Sequence, residues 1–220
     1  MFARDLISDA IPPLKTSDTG VKALSWMEEF RVSHLPIVNN VDFLGLISEE
    51  DILNLNTPDQ PLGNHPLSLL RPFVLESQHI YEILKVLEKL KISVIPVLDE
   101  EQHYNGLITL PDLMHSIASM YSVDYPGGII ILEINANNYS LSEISHIVES
   151  NDASVISSYI TSRPDSAMME VTLKINKTDL TRILASFYRH NYDVKASYHE
   201  SEFTDELKNR SDYLMNYLNM

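Results

Sequence analysis

The chain of 220 residues contains no cysteine. Disulfide cross-links and thiolate chemistry are therefore excluded, and a reducing, cytoplasmic setting is the simple expectation. No apolar run approaches the roughly 18 residues that a membrane helix needs. The opening stretch MFARDLISDAIPPLK has acids early and no apolar core, so no signal peptide is expected. Positive charge is scarce: 16 Lys and Arg stand against 31 Asp and Glu, a formal charge of −15. Such a chain repels phosphate backbones, and no basic patch offsets this, so neither nucleic acid nor an anionic membrane is an expected partner. Nucleophile elbows, P-loops and Rossmann glycine patterns are also missing. What remains is a globular composition, 44% apolar and 8% aromatic.

What the sequence does contain is a repeat. Residues 45–51 read GLISEED and residues 106–112 read GLITLPD. Upstream, RVSHLPIV around Pro36 is echoed by KISVIPVL around Pro96. The prolines are 60 positions apart; the glycines, and likewise Asp51 and Asp112, are 61 apart. One extra residue within DEEQHYN accounts for the difference. An amphipathic helix is expected before each proline. The first presents Val21, Leu24, Met27 and Phe30 after Ser17-Asp18-Thr19; the second presents Ile80, Ile83, Leu84, Leu87 and Leu90 after Ser77. Trp26 and Met27 are expected in the core. Each proline lies in a β-rich run, followed by a turn and a second strand. Beyond each aspartate comes another apolar-periodic stretch, short at Ile52, Leu53 and Leu55, longer at Leu113, Met114, Ile117, Ala118 and Tyr121. Neither unit of about 60 residues buries much surface alone, so the two should pack together.

The two Ser/Thr-x-x-Asp sequences read first as capping boxes that open the following helices. Pro111 suits a first helical turn, where a missing N–H costs nothing. The same corners could instead receive a phosphate and a sugar, and both readings stay open.

These motifs, HLPIV…GLISEED and VIPVL…GLITLPD, resemble those of CBS domains. The resemblance covers roughly residues 1–122 and implies a tandem pair, a Bateman-type module, with domains at 1–60 and 61–122. It also implies clefts for an adenosine-containing ligand such as AMP. By resemblance, Ser48 and Thr109 would face phosphate, and Asp51 and Asp112 the ribose. His34, Pro36, Val94, Ile95 and Pro96 would lie against the base. The second repeat is expected to bind more strongly, because Leu110 and Pro111 stand where the first repeat has Glu49 and Glu50. Neither motif carries a cation, so adenosine or AMP is expected over ATP.

Residues 123–128 read as a linker ending in Pro-Gly-Gly. The rest, 129–201, has the order βαββαβ. A strand runs from Ile129 to Ile134. Ser140-Leu-Ser-Glu143 then opens a helix, SVISSYIT and MMEVTLKI form a hairpin around SRPDS, a helix follows Thr178-Asp179, and DVKASYH closes the sheet. In length and order this segment resembles an ACT domain. Its first loop, NANNYSL, lacks the glycine and proline usual there, which counts against amino-acid binding. Residues 202–220 read as an amphipathic terminal helix. The fold class is therefore α+β. A CBS pair followed by an ACT-like domain also resembles the acetoin-utilisation type of bacterial regulatory protein.

Three functions are consistent with this reading: a non-catalytic sensor of an adenosyl ligand acting on an unknown regulated protein, a ligand-free dimerisation module, and an enzyme. No required cofactor and no metal site are expected. His146 and Glu149 share a helix face but read as surface residues, and His34 as a cleft-edge residue, not a base. A homodimer is expected, because the helices after the aspartates carry apolar stripes.

Overall fold

The computed structural model describes residues 1–67, 69–162 and 164–198. The expected terminal helix at 202–220 lies outside them. The chain divides into two compact units, Met1–Ser116 and Ile117–Met220.

The first unit contains α1 (Gly20–Phe30), β1 (His34–Asn39), β2 (Asp42–Ser48) and α2 (Glu49–Leu53), then β3 (Val74–Leu75), α3 (Ile80–Leu90), β4 (Val94–Leu98) and β5 (Tyr104–Thr109). It also holds the start of α4 (Leu110–Met120). The repeat is thus realised element by element. β1 pairs antiparallel with β2, β4 pairs antiparallel with β5, and each hairpin carries a bulge, at Ile37/Val38 and at Val97/Leu98. β3 runs parallel to β4, and in the first repeat Leu14 makes the corresponding parallel bridge to Ile37. The helices α1 and α3 both end on a left-handed residue that is not glycine, Arg31 at φ 55° and Lys91 at φ 53°.

The leading segments are exchanged between the repeats. Residues 1–8 bond to the second repeat: Ala3 N donates to Gln78 O at 2.9 Å, Arg4 N to Glu76 O at 3.1 Å and Ser8 N to Leu107 O at 2.8 Å. Residues 61–67, 69 and 70 belong with the first: Leu62 N donates to Asp18 O at 2.7 Å, Gly63 N to Thr16 O at 2.8 Å and Leu46 N to Leu70 O at 2.8 Å. This explains the repeated glycine. A Cβ on Gly45 would lie 2.5 Å from Leu69 Cβ and 2.8 Å from Leu70 O, and one on Gly106 would lie 2.4 Å from Ile7 Cγ2. Only glycine lets the incoming segment approach the hairpin.

Several sequence expectations are corrected. The buried face of α1 is Gly20, Ala23 and Met27, while Val21 is exposed. Small residues win because this face abuts backbone: a Cβ on Gly20 would meet Ile52 Cγ2 at 3.0 Å and Pro58 O at 3.2 Å. Trp26 is half-buried, not core; Lys22 Nζ sits 4.3 Å from its ring centroid. The cap of α3 is His79, not Ser77, whose hydroxyl donates to Glu100 Oε1 at 2.6 Å. α2 is a single short helix in which Ile52 is buried and Leu53 exposed. In α4, Leu113 is buried, but Met114 is exposed.

The second unit contains β6 (Gly128–Asn135), α5 (Leu141–Glu149), β7 (Val155–Ser162), β8 (Met168–Ile175), α6 (Thr181–Arg189) and β9 (Asp193–Tyr198). The sheet order is β7-β8-β6-β9, with every pair antiparallel, as in the split βαββαβ arrangement. β6 buries alternate residues, Ile130, Leu132 and Ile134, against Ile144, Ile147 and Phe187 from the helices. Ser140 caps α5 by accepting from Glu143 N. Gly128 starts β6, and the preceding glycine is needed for close strand packing: a Cβ on Gly127 would lie 2.0 Å from Ile175 O.

Gly45→Ala is expected to destabilise the first unit by about 1–3 kcal/mol. Gly106→Ala should cost less, since its obstacle is one methyl group of Ile7 rather than backbone. Denaturant unfolding of both variants checks the order.

Candidate functional site

Both hydroxyl–aspartate pairs close as caps. Ser48 Oγ donates to Asp51 Oδ2 at 2.6 Å, Ser48 N donates to the same oxygen at 2.9 Å, and Asp51 N donates back to Ser48 Oγ at 3.1 Å. In the second repeat Thr109 Oγ1 donates to Asp112 Oδ2 at 2.6 Å, and Asp112 N donates to Thr109 Oγ1 at 3.2 Å. Each aspartate uses only Oδ2 in this pair.

A cleft of about 380 Å³ opens at the first of these corners. It brings together His34, Ser48 and Asp51 with Ser33, Glu49 and Glu50, and its apolar walls are Leu46, Leu70 and Ile92. The second repeat supplies Ile92, and the exchanged segment supplies Leu70. Neither could be assigned to this cleft from the sequence, because both are brought there by packing between repeats. The second corner is smaller. A cleft of about 270 Å³ holds Asp112 with Asp5, Ser8, His115 and Ser116. Thr109 is buried and does not line it. The larger cleft therefore falls at the first repeat; what the sequence leads one to expect at the second is stronger binding, not a larger cleft.

The remaining predicted residues are strand residues. Val94, Ile95 and Pro96 are buried, and Val94 and Ile95 pair with Thr109 and Ile108. Pro36 is likewise buried, and its carbonyl accepts from Leu14 N at 2.8 Å. None of the four lines either cleft.

His34 lies where the two repeats meet. Its Nδ1 is 3.0 Å from Ser33 Oγ and 3.2 Å from Ser93 Oγ, and Ser33 N donates to Ser93 Oγ at 3.0 Å. Burial pushes the imidazole below its ordinary pKa, and Asp51 pulls partly the other way. Among the described residues no Lys or Arg lines this cleft, and Arg71, next in sequence to Leu70, donates Nη2 to Phe43 O at 2.8 Å.

Metal-type ligands gather at one place among the described residues. Asp99, Glu101 and His103 each offer an atom, all within 4.8 Å of one another. The group is a tight turn. Asp99 Oδ1 accepts from His103 N at 2.8 Å and Glu101 N at 2.9 Å, and these bonds, His103 first, hold its carboxyl below the usual range. The helical pair His146 and Glu149 forms no such group.

The lowered pKa of His34 has a signed consequence. The unfolded chain takes up a proton on this residue at higher pH than the folded chain does. Stability from the neutral ring is therefore present above about pH 6.5 and is lost as pH falls below it. His34→Asn is expected to flatten the drop in melting temperature between pH 7.5 and 5.5. An unchanged drop would count against this assignment.

The comparisons with known proteins come down on the first unit. The CBS domain family model matches residues 3–56 and 71–119. Homoserine O-acetyltransferase of Methanobrevibacter ruminantium is 26% identical over 116 residues, covering 52% of this chain and 24% of that protein. Inosine-5'-monophosphate dehydrogenase of Bacillus subtilis is 25% identical over 130 residues, covering 57% of this chain and 27% of that protein. The chain thus spans about a quarter of the length of these curated relatives. Among solved structures, a CBS domain pair/ACT domain protein from Thermotoga maritima aligns with a TM-score of 0.48 at 24% identity, over 54% of this chain and 98% of that one. CBSX2 in complex with AMP aligns with a TM-score of 0.46 at 18% identity, over 54% and 96%. With the family model, the exchanged repeats and the paired motifs in agreement, the N-terminal part of this chain is a tandem pair of CBS domains.

Proposed function

We propose that the protein is a non-catalytic regulatory sensor that binds a weakly anionic adenosine compound, adenosine or AMP, in the first cleft. The observation that carries this reading is the meeting of His34, Ser48 and Asp51 with the apolar walls Leu46, Leu70 and Ile92 inside a CBS pair. Apolar walls suit the faces of a base, and a few placed polar groups fix its orientation. Asp51 accepts from the ribose hydroxyls, and Ser48 releases its bond to Asp51 to serve the ligand. Glu49 and Glu50 line the same cleft. A like charge within about 4–6 Å of a phosphate costs on the order of 1–4 kcal/mol near a partly shielded surface. One phosphate is tolerable there, and three are not.

The second unit supplies the output. Its βαββαβ order supports an ACT-like domain of the kind found in acetoin-utilisation-type bacterial regulators, and α4 is continuous in the chain from the Thr109 cap into that unit. The expected setting is cytoplasmic, with an unknown regulated protein as partner. The two curated relatives are enzymes by name, but the match spans only a quarter of each, so it transfers no activity.

One observation favours a second reading, that of a ligand-free dimerisation module. Both hydroxyl–carboxylate pairs are already satisfied as caps, while Leu53 and Met114 on the adjoining helices are 67% and 62% exposed. A symmetric homodimer would cover them.

Titration calorimetry without magnesium, at fixed ionic strength, separates these readings. Saturable AMP binding, with ATP weaker than AMP, is expected; ATP tenfold tighter than AMP would sink the charge argument. Asp51→Ala should weaken it more than Asp112→Ala; the reverse order would move the site to the second cleft. No binding by any adenosine compound, together with a dimer in light scattering, would leave the assembly reading.

A further inference from the structure

A third cleft, at the ends of α5 and α6, has a different chemistry. Its volume is about 250 Å³, and it is lined chiefly by His146, Ser150, Asn151, Ser186, Arg189 and His190. No carboxylate is among its described lining residues. The other two clefts hold Glu49, Glu50 and Asp51, and Asp5 and Asp112. In a chain of formal charge −15, an arginine and two histidines around one cleft stand out.

Basic residues in a last helical turn often only complement the helix dipole. Here the terminal carbonyls already have other donors. His146 O accepts from Ser150 N at 2.9 Å and Ser150 Oγ at 2.7 Å. Ile147 O accepts from Asn151 Nδ2 at 2.8 Å. Ser186 O takes both His190 N at 3.1 Å and His190 Nδ1 at 2.9 Å. A carbonyl can only accept, so Nδ1 of His190 carries the hydrogen and Nε2 is left for another partner. Ser150, Asn151 and His190 thus occupy these carbonyls, so the Arg189 guanidinium is not needed to cap them.

Arg189 is positioned, not consumed. Its Nη2 donates to the buried Ser186 Oγ at 2.8 Å, its only hydrogen bond among the described residues. Ser186 is itself held from the other helix by Asn151 Nδ2 at 3.1 Å. The guanidinium is a planar fork with five donors, so several remain, at a fixed angle.

We infer that this cleft binds a small organic anion, whose carboxylate or phosphate group accepts from the Arg189 fork between His146 and His190. The site is separate from the nucleotide cleft, and neither depends on the other being right.

Ring-proton NMR of the full chain tests it at fixed pH, with malonate and inorganic phosphate as probes and sodium chloride at equal ionic strength as the control. The His146 and His190 signals are expected to shift saturably with at least one probe. Saturation by malonate alone assigns a carboxylate ligand, and by phosphate alone a phosphate ester. Arg189→Ala should weaken binding about tenfold or more, with the melting temperature little changed. Arg189→Lys keeps the charge without the fork and should recover only part; it decides the matter if the alanine variant folds poorly. Linear, non-saturating shifts with both probes, or an unaltered titration in both variants, would overturn the proposal.

Discussion

The close approach of a foreign segment to each glycine, Gly45 and Gly106, is the constraint on which the N-terminal unit rests. Residues 61–67, 69 and 70 complete the first hairpin and residues 1–8 the second, each through backbone hydrogen bonds near 2.8 Å. A side chain at either glycine would push the segment off the strand. The bulges beside these positions bend the hairpins where the segments arrive. The helices, the caps and the clefts are all hung on hairpins fixed in this way.

The first cleft shows how chemistry follows from that exchange. Leu70 is a wall only because its segment crosses to the first repeat, and Ile92 contributes only because the repeats meet at Ser33, His34 and Ser93. The duplicated halves are not chemically equal. Where the first repeat has His34, the second has Val94, and where the first has Glu49 and Glu50, the second has Leu110 and Pro111. Near-symmetry of the backbone therefore carries two clefts of different size and lining.

Much of this was legible in the chain. The offset of 60 to 61 residues fixed the order of elements in both repeats, because glycine, proline and the capping hydroxyl each have a positional meaning that tertiary context rarely overrides. The βαββαβ order was readable for the same reason, since Ile130, Leu132 and Ile134 alternate while Ile144, Ile147 and Val148 follow a helical period. Other features were hidden. Val21 and Trp26 looked like core by periodicity, but α1 packs through Gly20 and Ala23, and a small-residue contact leaves no hydrophobic signature. Two cleft walls were hidden: Leu70 arrives through a single-residue bridge to Leu46 far away in sequence, and Ile92 through the meeting of the repeats beside Ser93. The basic cleft in the second unit was hidden because its members, from His146 to His190, sit on two helices separated by a hairpin. The caps were visible in the motifs, but the sequence could not say that Ser48 and Asp51 would share a roomy cleft while Thr109 would be buried.

The crossed segments also change what counts as one piece of this protein. The eight residues at the start serve a hairpin about a hundred positions downstream, and the stretch near position 65 serves one behind it. A single repeat copied by itself would carry an arm with nothing to embrace and a hairpin edge left bare. The smallest heritable part that can be moved intact from one gene to another is therefore the pair, and any recombination breakpoint between the halves would leave both of them unfinished.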